Sequence, residues 1–120
     1  MIDSKLSRLY SGKAKSLYIG YIIPYGIMEP VFEHKHIHKD YIVEIKIYKV
    51  PKEQYHPEGF QYSLVLIKAG KRILGYDNHE RKGHHMHKGG RELPYEFVDE
   101  WKLIEDFQRD VEKITKGELK

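Results

Sequence analysis

The sequence predicts an α+β fold, an antiparallel β-sheet meander of about four to five strands covered by one C-terminal amphipathic helix. Segments rich in β-branched and aromatic residues alternate with period two, as half-buried strands do. Short links join these segments, which favours antiparallel pairing between neighbours. The C-terminal segment carries apolar residues at spacings of three and four, which is typical of a helix that packs one face on a sheet.

The first two strands are predicted within VFEHKHIHKDYIVEIKIYKV, residues 31–50, with a connection near His38–Asp40. Pro51 and the segment HPEG then indicate a loop. The third strand is FQYSLVLIK, residues 60–68, and the fourth is RILGYD, residues 72–77, with the turn AGK between them. In the second strand, the alternation separates Tyr41, Val43, Ile45 and Ile47 from the residues between them. In the third strand, it puts Phe60, Tyr62, Leu64 and Leu66 on one face.

A polar segment, Asn78 to Leu93, follows the fourth strand and is predicted to be one long loop. Loops longer than about 12–15 residues are uncommon and are often functional. Its three glycines permit positive φ angles and a close backbone approach to a ligand such as phosphate. After it, PYEF at Pro94–Phe97 is predicted to be a brief fifth strand.

The helix is predicted to begin after Asp99, whose side chain suits an N-cap, and to end near Gly117. Glu105 is placed to pair with Arg109 one turn later. The predicted apolar stripe consists of Trp101, Ile104, Phe107, Val111 and Ile114.

Length and composition predict one domain with one modest core, since the chain has 120 residues of which 40% are hydrophobic. The first 28 residues are predicted to be a poorly ordered extension, or to precede the true start at Met28, which leaves residues 29–120 as the single domain. The apolar run before Met28 is too short to span a bilayer. The absence of cysteine excludes disulfides and thiolate chemistry, and it is compatible with a cytoplasmic location. The formal net charge of +3 permits attraction to phosphate without indicating a strong nucleic-acid binder.

Candidate catalytic residues lie at the end of the fourth strand and in the polar segment. Asp77 ends the strand, and His85 and His87 would point to the same side if their segment were extended. Histidine exchanges protons near pH 7, so the two histidines suit metal-free acid–base cleavage of RNA through its 2′-hydroxyl, with Asp77 orienting one ring. The residues predicted to hold phosphate are Lys82, Arg81, Asn78 and Arg91.

Other interpretations of the same segment stay open. Asp77, His85 and His87 are chemically suitable for zinc or for a nuclease-type divalent ion, although their spacing matches no known zinc motif. The metal-free interpretation is preferred, with no cofactor, because divalent nuclease sites gather more carboxylate oxygen. One alternative is that the segment is a solvated loop without function. Another is that the protein is a non-enzymatic module that binds RNA or protein through a tyrosine-rich sheet. His34, His36 and His38 alternate on one strand and are interpreted as a solvated edge.

The segment from about Glu33 to Ile114 contains an ordered set of features: GYDN at 75–78, Lys82-Gly83, the pair His85-x-His87, PYEF at 94–97 and the helix with Asp106-Phe107. Through these residues the segment resembles the TumE family of small toxins from prokaryotic toxin–antitoxin pairs. The resemblance implies a cytoplasmic toxin that is neutralised by a DNA-binding antitoxin and arrests growth by acting on RNA. A homodimer is permitted by the strand edges, and no membrane association is expected. His79 and His84 are expected to take no part in the reaction.

Overall fold

A computed structural model describes residues 21–23, 26–79 and 82–119. Seven strands form one antiparallel sheet in which every strand pairs with its neighbour along the chain. The strands are β1 (Tyr21–Ile23), β2 (Gly26–His38), β3 (Tyr41–Lys49), β4 (Phe60–Lys68), β5 (Lys71–Asp77), β6 (His85–Lys88) and β7 (Arg91–Pro94), and the helix α1 spans Glu100–Thr115. The predicted meander under a C-terminal helix is confirmed, with more strands than expected.

The core lies between one face of the sheet and α1. The structure shows that this face of β3 is the one with Tyr41, Val43, Ile45 and Ile47, which are all buried. On β4 it is the face with Phe60, Tyr62, Leu64 and Leu66, which are buried apart from the partly exposed Phe60. Complete burial of one aliphatic or aromatic side chain stabilises the fold by about 1.5–3 kcal/mol, so this row holds the sheet and helix together. The fully buried side chains that α1 contributes are Leu103, Ile104, Phe107 and Val111.

The helix begins at its predicted cap. The Oδ1 atom of Asp99 accepts a hydrogen bond of 2.8 Å from the backbone N–H of Lys102. At the other end Lys116 and Gly117 have positive φ angles of 55° and 78°, which stops the helix. Among the described residues, no helix has the length and apolar character that crossing a membrane requires.

Two details of the predicted helix are wrong. Trp101 is 40% exposed, and Leu103 takes its place in the core because it lies closer to the middle of the stripe centred on Phe107. The guanidinium of Arg109 donates a 2.8 Å hydrogen bond to Asp106 rather than pairing with Glu105. Asp106 is buried against the sheet side of the helix, and there it also accepts a hydrogen bond from Tyr95.

The prediction of one long polar loop is also wrong. Residues 85–94 form the hairpin β6–β7, which adds to the edge of β5. Its turn is Gly89–Gly90, whose φ angles of 54° and 84° suit a two-residue hairpin connection. Of the predicted fifth strand PYEF, Pro94 is the only residue that lies in a strand. The hairpin forms because an open strand edge supplies backbone partners even to a segment of weak strand formers.

The first 20 residues of the predicted N-terminal extension lie outside the described residues, as do residues 24–25. The boundary at residue 28 therefore stays a prediction. Strand β2 itself begins at Gly26.

Candidate active site

Three candidate residues meet on the face of the sheet opposite α1. Asp77 pairs in register with His85, and Gly75 pairs with His87. Directly paired residues of antiparallel strands share a face, and Met86 between the two histidines packs toward the core. The prediction that an extended segment would bring Asp77, His85 and His87 together is confirmed: each offers a ligand atom within 4.8 Å of the others.

His85 is the anchored member of the cluster. Its Nδ1 lies 3.0 Å from the carbonyl oxygen of Gly83, and its Nε2 lies 2.8 Å from Oδ1 of Asp77. A carbonyl oxygen can only accept, so the ring donates through Nδ1, and this leaves Nε2 directed at the carboxylate of Asp77. The side chain of His85 is 8% exposed, so its surroundings hold the ring in place.

His87 is the more accessible histidine, with 20% of its side chain exposed. Its ring lies 5.1 Å from that of His85 and nearly perpendicular to it, at 83°. Its Nε2 is 3.8 Å from Oδ2 of Asp77. Burial, followed by the positive charge of Arg72, holds the pKa of His87 below its ordinary value despite the nearby carboxylate of Asp77. This favours the neutral ring, which keeps a lone pair for accepting a proton.

Arg72 is a residue of this site that sequence reasoning missed. Its side chain crosses Gly75: a Cβ atom on that glycine would lie 3.1 Å from Cδ of Arg72. Gly75 is also the register partner of His87, so the guanidinium stem runs beside the accessible histidine. A glycine inside a strand is a sign of such a close approach, and Gly75 was the available signal in the sequence.

A second cation, Lys82, lies near the cluster because both it and His85 contact Glu92. One carboxylate oxygen of Glu92 lies 3.8 Å from Nε2 of His85 and 3.7 Å from Nζ of Lys82. Glu92 pairs in register with His87 and therefore lies on the same face. Lys82, predicted to hold phosphate, thus lies at the border of the cluster with half of its side chain exposed.

The other predicted phosphate ligands are placed differently. Asn78 is 2% exposed; its Oδ1 accepts a hydrogen bond from the backbone N–H of Tyr62, and its Nδ2 donates to the carbonyl of Phe60. These two hydrogen bonds of the Asn78 side chain therefore tie the end of β5 to β4. Arg91 is paired with Lys88 and lines a groove on the α1 side, away from the cluster, because side chains alternate along β7. Arg81 lies outside the described residues.

Other histidines occupy separate environments. His84 stacks on Phe97 with ring centroids 4.8 Å apart, and its nitrogens contact the hydroxyl of Tyr62 and a carboxylate oxygen of Glu58. It therefore fixes the segment before β6. His34, His36 and His38 form a row of stacked rings on β2, with centroids 6.4 and 6.5 Å apart.

The tyrosines that a base-stacking surface would need are not accessible. Tyr41, Tyr62 and Tyr76 are 5% exposed or less, and Tyr48 is 9% exposed. A tyrosine-rich RNA-binding face, one of the alternatives from sequence, is therefore wrong for these four residues, which instead fill the core or hydrogen-bond to carboxylates.

The model of one protein family, described as Toxin TumE, matches residues 29–115. No curated protein and no solved structure matches the chain. The match covers most of the chain and includes the whole cluster on β5 and β6. It confirms the resemblance carried by the GYDN segment, the histidine pair and the helix. The chain belongs to the TumE toxin family.

Proposed function

We propose that this toxin arrests growth by cleaving RNA, and that Asp77, His85 and His87 are its catalytic residues. The observation that supports the proposal most is the pair of histidines held on one sheet face in unequal environments. One ring is buried, with its Nε2 2.8 Å from one carboxylate oxygen of Asp77. The other ring is more accessible, and its Nε2 lies 3.8 Å from the second carboxylate oxygen of Asp77. Two titratable groups in different environments can take the separate roles of acid and base.

In the proposed reaction His87 is the general base and His85 the general acid. His87 removes the proton of a ribose 2′-hydroxyl, and the 2′-oxygen attacks the adjacent phosphorus. The bond from phosphorus to the 5′-oxygen breaks, and this oxygen takes the proton that His85 shares with Asp77. The products are a 2′,3′-cyclic phosphate and a 5′-hydroxyl. Asp77 orients His85 and stabilises its positive charge.

Phosphate binding is assigned to the two cations that flank the cluster. Arg72 crosses Gly75 beside His87, and Lys82 lies near Glu92 and His85. A guanidinium can hold two phosphate oxygens at once, and both cations can stabilise charge that develops on the phosphoryl group. Arg81 stays a candidate from the sequence alone, while Asn78 and Arg91 lie where the fold uses them otherwise.

Membership of a toxin family also supports the proposal of an antitoxin partner. We propose that a DNA-binding antitoxin encoded beside the toxin neutralises it, that the pair acts in the cytoplasm, and that the strand edges permit a homodimer. We also propose that residues 29–120 form the toxin domain and residues 1–28 an extension, which agrees with a family match that starts at residue 29.

Growth of a bacterium that expresses the toxin without its antitoxin tests the proposal. His87→Ala should relieve growth arrest, since loss of a general base lowers a rate by about 10²–10⁴-fold. His36→Ala is the matched control, because it removes a histidine from an equivalent alternating position on β2 and should leave arrest unchanged. Retained binding to the antitoxin would show that each variant folds. Equal toxicity of His87→Ala and the wild type would refute the assignment.

A further inference from the structure

We propose that Asp77, His85 and His87 also bind one first-row divalent transition-metal ion of the zinc class, and that the bound ion switches the toxin off. The first half of this proposal stands on the geometry of the cluster. The second half rests on the proposed function, because only an acid–base reaction is stopped by occupying the same nitrogens.

The three donor atoms are close enough to share one ion. They lie within 4.8 Å of one another, and the shortest separation is 2.8 Å, between Nε2 of His85 and an oxygen of Asp77. Ligands about 2.0–2.1 Å from a tetrahedral zinc ion are themselves about 3.3 Å apart. The observed separations lie on both sides of that value, so small rotations of the side chains suffice.

The types of donor select the ion. Two imidazole nitrogens and one carboxylate suit zinc, cobalt or nickel, whereas magnesium and calcium prefer six or more oxygen ligands. Three protein ligands leave a fourth position for water or for Glu92, whose carboxylate oxygen is 3.8 Å from Nε2 of His85.

The surroundings of His85 match those of a metal ligand. Histidines that bind metals almost always donate their other ring N–H to a carbonyl or carboxylate, which fixes the orientation of the ring. The Nδ1 atom of His85 does so to the carbonyl of Gly83 at 3.0 Å, and this leaves Nε2 directed at the cluster. An ion that binds at Nε2 takes the position of the proton that the proposed reaction requires there.

Occupancy and acid–base catalysis exclude each other. The ion takes the Nε2 lone pair of His87, which the proposed reaction needs for the 2′-hydroxyl proton. It also releases the proton that His85 would give to the leaving oxygen. Zinc would therefore lower the rate of RNA cleavage, and removal of zinc would restore it.

The row of histidines on β2 provides a contrast within the same chain. His34, His36 and His38 also alternate on a strand, but their ring centroids are 6.4 and 6.5 Å apart, against 5.1 Å for His85 and His87. Among the described residues, the metal-ligand geometry is met by the cluster with Asp77 and not by this row.

Isothermal titration with zinc chloride tests the binding half. The full chain is purified without a polyhistidine tag, freed of metal with a chelator, and titrated as wild type, His87→Ala and His36→Ala. Removing a residue that only hydrogen-bonds to a metal ligand weakens metal binding by about 10–100-fold. His87→Ala removes a ligand itself and should therefore weaken zinc binding by at least about 100-fold. His36→Ala should bind one ion as the wild type does. No binding by the wild type, or equal binding by His87→Ala, would overturn the site.

RNA cleavage by the same samples tests the inhibitory half. Wild-type toxin should cleave RNA in the presence of chelator and lose most of that activity when one equivalent of zinc is added. Cleavage that requires the ion would overturn the inhibition and the metal-free reaction, while the titration would still establish the metal site. A protein that binds zinc but cleaves no RNA would refute the proposed function and leave the binding half intact.

Discussion

At the scale of single residues, Gly75 and Arg72 show how a site can depend on a missing side chain. Gly75 is buried inside β5, where a residue with a Cβ atom would meet Cδ of Arg72 at 3.1 Å. Contacts of that length are tolerated only when the neighbour shifts. The path of Arg72 toward His87 is therefore maintained by the glycine, and the electrostatic environment of His87 is maintained by Arg72.

Gly75→Ala should lower RNA cleavage by displacing Arg72 while leaving the fold intact, because Arg72 is exposed and can move away. Arg72→Ala should lower cleavage as well, since a cation at the phosphate is lost. In a double-mutant cycle of cleavage rates, Gly75→Ala should have little further effect in the Arg72→Ala background. Fully additive losses would show that the glycine acts through some other contact.

The sequence predicted Asp77, His85 and His87 because their chemistry is visible in the residue types and their spacing. It missed Arg72 because the irregular register between β4 and β5, near Leu66 and Ile67, decides on which face Arg72 lies. The sequence placed Arg91 in the same site because β7, which carries Arg91, was predicted to be part of a loop. On a strand, Arg91 lies on the other face of the sheet. Alternation assigns a face only after the strand itself has been recognised.

At the scale of elements, β6 and β7 are the part of the fold that sequence patterns predicted least well. HMHK and RELP have few β-branched residues, and their pairing comes from the edge of β5 and the Gly89–Gly90 turn. The long strands β3 and β4 were predicted correctly because their alternation is strong enough to decide both type and face.

The hairpin turn gives a test at this scale. Gly90 has a φ of 84°, which a β-branched residue adopts only with strain. Gly90→Val should therefore loosen β6–β7, lower the cleavage rate through misplacement of His85 and His87, and leave the helix signal in circular dichroism unchanged. His36→Ala serves again as the control for a substitution elsewhere on the sheet. Full activity of Gly90→Val would mean that the hairpin turn does not position the histidines.

The buried carboxylate of Asp106 on α1 accepts a hydrogen bond from Tyr95, which follows β7, and this contact helps to hold the helix in place. Burial by itself raises the pKa of Asp106, but hydrogen bonds from Tyr95, Lys102 and Arg109 outweigh it and hold the pKa below its ordinary value. A lowered pKa in the folded state stabilises the fold at pH values above about 3.9, the value in unfolded chains. This stabilisation is lost as the pH falls through the folded-state pKa.

Asp106→Asn should consequently destabilise the protein at pH 7 by roughly 1.5–3 kcal/mol, the range for hydrogen bonds to a charged group. The difference from the wild type should shrink as the pH falls below about 4. Urea denaturation of both proteins at pH 7 and at acidic pH measures this. A difference that stays constant over the whole range would show that the charge of Asp106 contributes nothing.

At the scale of the whole molecule, one face of the sheet forms the core and the opposite face carries the candidate site. Its inner face and α1 form the core, with Tyr62, Phe107 and Leu64 fully buried. Its opposite face carries Asp77 on β5 and His85 and His87 on β6. The proposed catalytic groups therefore lie on strands rather than on a loop, and the sheet holds their mutual geometry.

The proposed cleavage of RNA through the 2′-hydroxyl by histidine acid–base chemistry can be measured directly. The purified toxin is incubated, in the presence of chelator, with end-labelled RNA and with DNA of the same sequence. RNA should be cut to 2′,3′-cyclic phosphate and 5′-hydroxyl ends, DNA should stay intact, and His87→Ala should lose the activity. Cleavage of both nucleic acids, or undiminished cleavage by His87→Ala, would refute this chemistry.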